Sequence, residues 1–163
     1  MRVLAVRLAA AALILALPGA HSAAGEVSDR PGWRVANSDL DHAALLERLL
    51  AAVPQEGLIV VTQAGPTGAA RRRGIEIPEN RVVGVFNNDF AVRILGTSTA
   101  AMIEAPIRFY VTEDADGSAT LSWKTPSHVF APYADEGGPE LAAAAEELDG
   151  LFEAIAARAL GQP

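Results

Sequence analysis

Between Ile107 and Lys124, apolar and polar residues alternate in two runs separated by a turn-forming stretch, and nothing else in the chain restricts its folding as strongly. Ile107, Phe109 and Val111 alternate with Arg108, Tyr110 and Thr112; Asp114 to Gly117 supplies turn chemistry; Leu121 and Trp123 then alternate with Thr120, Ser122 and Lys124. A period of two sends successive side chains to opposite faces of a strand. The spacing therefore predicts an antiparallel hairpin with one apolar face, which helices must cover.

Two segments have the helical period. Leu45, Leu46, Leu49, Leu50 and Val53 form one apolar stripe opposite Asp41, Glu47 and Arg48, with Ser38 placed to cap the start and Pro54 and Gly57 to stop it. Leu141, Ala145, Leu148, Phe152 and Ile155 form the other, opposite Glu146, Glu147, Asp149 and Glu153. That helix is expected from Pro139, in its favoured first position, to about Leu160 before Gly161.

Between them, Trp33 to Ala36 reads as a short first strand. Leu58 to Thr62 is a continuous apolar run, β-branched from Ile59 on, predicted to be a central strand covered on both sides. Arg81 to Phe86 reads as a buried strand, and Phe90 to Leu95 as a short helix with Asp89 near its start. Ala69 to Arg73 suits one helical turn, Thr97 to Glu104 fits either a loop or a turn, and Ser127 to Gly138 reads as a long connection. The order β-α-β-β-β-β-α describes an α+β fold in which a mainly antiparallel sheet carries both long helices on one face. The other face is then solvated or covered by a partner.

The N-terminus carries a different signal. Arg2 and Arg7 lead into an apolar run from Leu8 to Leu17, followed by Pro18, Gly19 and small residues around Ser22. The run is shorter than the ~20 apolar residues a membrane span needs, so 1–22 reads as a cleaved secretory signal peptide. Residues 23–31 follow as a leader or linker, and 32–163 as a single α+β domain. The expected location is periplasmic or secreted, with no membrane anchor after cleavage. Without a single cysteine the chain makes no disulfide, thiolate zinc site or lipid-modified cysteine. Its net charge of −7 repels phosphate backbones, which argues against nucleic acid as a partner.

The order of elements, together with the segment from Gly74 to Pro126, resembles the bacterial family catalogued as domain of unknown function 302. Gly74 to Pro78 precedes a buried strand; Phe86 and Asn88 stand at its end; Pro106 opens the next strand beside Arg108; and the Glu113 to Gly117 turn and Pro126 follow. The resemblance runs from Trp33 to the last helix. It implies a fold similar to the TATA-binding-protein class and a tendency to form homodimers, and it implies no particular activity. The chain departs from the family where members often carry Gly-Asn-Pro, here Asn87, Asn88 and Asp89, and where an Asp-His pair is common, here about Gly65 and Pro66.

Five residues stand out as candidates for ligand binding: Asn87, Asn88 and Asp89 at a strand end, where helix capping is the competing role, with Arg108 and His128. His42, expected on a helix surface, and the loop residue His128 are too isolated to suggest a metal site, and Asp114 and Asp116 suit a turn better than a calcium loop. Gly65 to Gly68 followed by Arg71 to Arg73 lacks the spacing and lysine of a phosphate loop, and a solvated loop paired with carboxylates is the competing reading. No cofactor, metal or catalytic signature is expected. The leading expectation is an exported, non-enzymatic binding or accessory domain, homodimeric, engaging a small ligand or a periplasmic protein partner. Its competitors are a small hydrolase- or isomerase-like enzyme with a polar cleft at the strand ends, and a structural envelope-assembly subunit.

Overall fold

In the computed structural model, which describes residues 27–162, the alternating hairpin lies at the heart of a five-stranded antiparallel sheet. The strands are β1 (Trp33–Ser38), β2 (Ile59–Ala64), β3 (Asn80–Phe86), β4 (Ile107–Glu113) and β5 (Ala119–Lys124), ordered β1-β5-β4-β3-β2. β2 to β5 form a meander, and β1 adds to its far side beside β5. The helices are α1 (His42–Ala52), α2 (Thr67–Arg72), α3 (Asn88–Thr97), α4 (Pro126–Phe130) and α5 (Ala134–Leu160), with short 3-10 turns at Val53–Glu56, Ala101–Glu104 and Ala131–Tyr133. The signal peptide expected at 1–22, and residues 23–26 of the expected leader, lie outside the described residues.

The α+β expectation holds, with the long helices α1 and α5 on one face of the sheet. Leu45 and Leu49 of α1 and Leu141, Leu148, Phe152 and Ile155 of α5 bury themselves with Val83, Val85, Phe109, Val111, Leu121 and Trp123 in one core. Ala144, Ala145, Ala156 and Ala159 are buried along α5, which packs against α1, α3 and α4. Gly138, at φ 58 and ψ −158, breaks the first turns of α5, so the regular helix starts at Pro139 as its sequence suggests.

Several expectations are corrected. β2 is not central and covered but lies at the sheet edge, with Ile59 57% and Val61 44% exposed. A β-branched run specifies a strand without specifying its neighbours, and an irregularity between Val60 and Thr62 shifts the register there. Ser127 to Gly138 is mostly helical instead of an irregular connection. Thr125 Oγ1 accepts the His128 N–H at 3.3 Å, Pro126 occupies the first turn, and Asp149 of α5 accepts the Ser127 N–H at 2.9 Å. The cap of α1 is Asp41, whose Oδ1 accepts the Ala44 N–H at 2.8 Å, while Ser38 accepts the Leu40 N–H outside the helix. His42 is buried, with 8% of its surface exposed, because β1 delivers the start of α1 directly onto the sheet.

Candidate functional site

The strand register sorts the sheet's residues into a covered face and an uncovered one. On the uncovered face Trp33 pairs with Lys124, Arg108 with Gly84, and Gly84 with Thr62. Since Phe109 pairs with Trp123, Arg108 and Lys124 lie level, one position further along. One row therefore crosses all five strands as Trp33, Lys124, Arg108, Gly84 and Thr62. The next row is Val35, Ser122, Tyr110, Val82 and Ala64.

Trp33, Lys124 and Arg108 of the first row and Tyr110, Val82 and Ala64 of the second floor a cleft of about 850 Å³. Trp33, Tyr110, Val82, Val129 and Ile107 give it an apolar surface, and Arg108, Lys124 and Asn80 give it polar groups. Its volume is in the range of small-molecule sites. One wall is the turn at Gly65 and Pro66, which presses so close to β3 that a Cβ on Gly65 would sit 2.4 Å from the Asn80 carbonyl oxygen. Asn80 Nδ2 donates to Pro78 O at 3.0 Å and to Thr67 Oγ1 at 3.2 Å, which ties the wall to the start of α2. On the covered side, a second cavity of about 30 Å³ between α3 and the core has room for little more than one water molecule.

The cleft's charges are unbalanced. Four other arginines pair with carboxylates: Arg34 with Glu153, Arg71 with Glu79, Arg93 with Glu147 and Arg158 with Glu56. Arg108 and Lys124 form no ion pair among the described residues. Glu104 is the carboxylate of the lining, and its Oε1 accepts a 2.7 Å hydrogen bond from the Tyr133 hydroxyl. That bond, followed by desolvation and the charges of Glu104 and Glu136, pushes the phenol above its ordinary range. Lys124 Nζ lies 5.8 Å and the Arg30 guanidinium carbon 4.9 Å from the centre of the Trp33 ring, within cation–π range.

Of the five residues singled out from sequence, Arg108 lines this cleft. Asn87 is the cap of α3: its Oδ1 accepts the N–H groups of Asp89 at 2.8 Å and Phe90 at 3.1 Å, and its Nδ2 donates to Gly57 O at 2.9 Å. Asn88 and Asp89 are exposed in the first turn of that helix. His128 is exposed on α4, its ring seated on Gly32, where a Cβ would lie 2.0 Å from the imidazole Cγ. All five gather toward one end of the sheet, but the strand order spreads them from β3 to β1, and no side-chain hydrogen bond or ion pair joins Arg108 or His128 to the other candidates. Trp33, Tyr110, Lys124 and Asn80 were not singled out from sequence. The signal of Tyr110 and Lys124 was the polar phase of the hairpin's alternation, which becomes a surface only when five strands lie side by side; Trp33 and Asn80, each at the start of a strand, carried no such signal.

At the opposite end of the sheet, His42 is buried near Glu79, Arg81 and Glu113, with its Nε2 lacking a partner, as does Arg81 Nε. Desolvation holds this imidazole below the usual histidine range, against the pull of Glu79 and Glu113 and with the push of Arg81. Among the described residues no group of three or more His, Asp or Glu is placed to hold a metal ion, and no helix is long and apolar enough to cross a membrane.

The sequence profile described as "Domain of unknown function DUF302" matches residues 34–156. Among solved structures, the crystal structure of uncharacterized conserved protein DUF302 from Bacillus stearothermophilus is similar, with a TM-score of 0.70 and 19% identity, covering 80% of this chain and 99% of that one. At that identity the likeness concerns the fold. No curated protein matches the chain.

Proposed function

Starting from the family to which this chain belongs, the domain of unknown function DUF302, we propose an exported, non-enzymatic binding domain that holds a small ligand on its uncovered sheet face and works as a homodimer. The observation that carries this reading is the cleft itself: it combines aromatic and aliphatic surface with two cations that have no ion-pair partner among the described residues. The kinship with the TATA-binding-protein class implied by the resemblance belongs to the same reading, with the face opposite the long helices α1 and α5 as the working surface. Export rests on the N-terminal pattern of Arg2, Arg7 and the run from Leu8 to Leu17. The homodimer is supported by β2, an edge strand that exposes Ile59 and Val61 and leaves one side of its backbone unpaired within the sheet.

A hydrolase or isomerase would need acid, base and nucleophile within hydrogen-bond reach of one substrate position. The dispersal of Asn88, Asp89 and His128 away from Arg108 favours binding over turnover. The test is to express the full chain, fractionate the cells, and screen the purified protein against periplasmic metabolite pools by thermal shift. Processing near Ala23, recovery outside the cytosol and a saturable rise in melting temperature are expected. Cytosolic retention of an unprocessed chain, or catalytic turnover of a pool component, would overturn the proposal.

A further inference from the structure

We propose that the ligand of this cleft is a single-chain amphiphilic anion, with its carboxylate or phosphate head between Arg108 and Lys124 and its apolar body along Tyr110, Val82 and Val129. This inference rests on the binding role proposed above and names the chemistry of the ligand.

The head-group assignment follows from a cost in the free protein. Arg108 and Lys124 occupy level positions on neighbouring strands, where like charges repel, and no carboxylate pairs with either among the described residues. Unpaired arginines also occur elsewhere among the described residues, at Arg30, Arg48, Arg72, Arg73 and Arg81, but Arg108 and Lys124 are the two cations that line the cleft, side by side on neighbouring strands. An anion bridging them would relieve the repulsion, and the planar guanidinium suits the two oxygens of a carboxylate or phosphate. Glu104, the carboxylate of the lining, accepts a hydrogen bond from the Tyr133 hydroxyl and forms no ion pair with either cation among the described residues.

The body follows from what surrounds the cations. A free inorganic ion would use one end of the row and leave the rest of about 850 Å³ unfilled, including the surface of Val82, Tyr110, Ile107 and Val129. Burying that surface against an alkyl chain adds a hydrophobic contribution that an inorganic ion does not supply. The ring of Trp33, flanked by Lys124 and Arg30, lies beside the head-group position at the end of the row, so its fluorescence should respond to occupancy.

The experiment is calorimetric titration of the purified protein with dodecanoate, dodecyl phosphate, dodecanol, dodecyltrimethylammonium and inorganic phosphate, each below its micelle concentration, and with vesicles of anionic phospholipid. Dodecanoate and dodecyl phosphate should bind at least tenfold more tightly than the other three soluble probes. The double variant Arg108→Gln, Lys124→Gln should weaken dodecanoate at least tenfold, with a melting temperature in the absence of ligand that does not fall, since both side chains are exposed and their mutual repulsion is removed. The inference is overturned if dodecanol matches dodecanoate, if inorganic phosphate matches dodecyl phosphate, if the double variant retains affinity, or if only the vesicles bind. Failure of every probe, alongside a saturable thermal shift with a metabolite pool, overturns the ligand class and leaves the binding role intact.

Discussion

The ring of Phe109 on the central strand stacks on Phe152 of α5, with centroids 4.4 Å apart and planes 16° from parallel. Both side chains are fully buried, and Trp123 packs against the same Phe109 ring at 5.7 Å and 56°. This contact joins the sheet to its longest helix directly behind the row that bears Tyr110. The uncovered face can therefore present its side chains from a rigid support.

Removal of that contact should be costly. Phe152→Ala is expected to destabilise the protein by about 3–5 kcal/mol through lost burial and the cavity left behind. Urea unfolding of the variant beside the parent checks this; a loss below about 1 kcal/mol would show that the core closes over the gap.

Asn87 should behave as a structural cap and not as a ligand group. Asn87→Ala removes the acceptor of two N–H groups and the donor to Gly57, and is expected to cost about 1–2 kcal/mol. Asn88→Ala, which alters an exposed side chain, should change stability by less than about 0.5 kcal/mol. Thermal melts measure both, and ligand titration of Asn88→Ala should match the parent.

The burial of His42 predicts a pH dependence. Its pKa lies lower in the folded protein than in the unfolded chain, so with falling pH the unfolded chain takes up this proton first. Its contribution is intact above the ordinary histidine value of about 6.5 and declines as pH falls toward the lower folded value. The groups facing it, Glu79, Glu113 and Arg81, remain in His42→Gln. That variant should have a flatter dependence of urea midpoint on pH below 6.5. Parallel slopes for parent and variant would remove His42 as the cause.

The edge strand predicts the behaviour of the proposed dimer. Val61→Lys places a charge on exposed apolar surface at the unpaired edge of β2, and should convert the dimer to monomer with little change in the fold. Light scattering coupled to size exclusion, with circular dichroism as the control for folding, reads the result. A variant that remains fully dimeric would move the interface away from β2.

The hairpin and both amphipathic helices were legible because their cues are local. Alternation from Ile107 to Trp123, the stripe from Leu45 to Val53 and the pairing of Pro139 with Gly161 each specify an element through its own backbone geometry. Leu58 to Thr62 shows the limit of such cues. Its apolar run was right about strand and wrong about position, because a strand's neighbours are chosen by distant segments. The same limit applied to His42, whose burial depends on β1 and the sheet beneath it, and to Asn87, whose cap is local but whose bond to Gly57 is not.

The candidate site divides in the same way. Arg108 could be picked out as a cation in the polar phase of a strand, and its chemistry is a property of the side chain. That Lys124 lies level with it, that Trp33 flanks the pair from a strand some ninety residues away, and that no carboxylate forms an ion pair with them among the described residues are consequences of register and strand order. Periodicity along a chain dictates which face a residue takes, since that follows from backbone dihedrals. Which residues share a face depends on hydrogen bonding and burial across the whole sheet, and those long-range free energies are settled only when the strands and helices pack together.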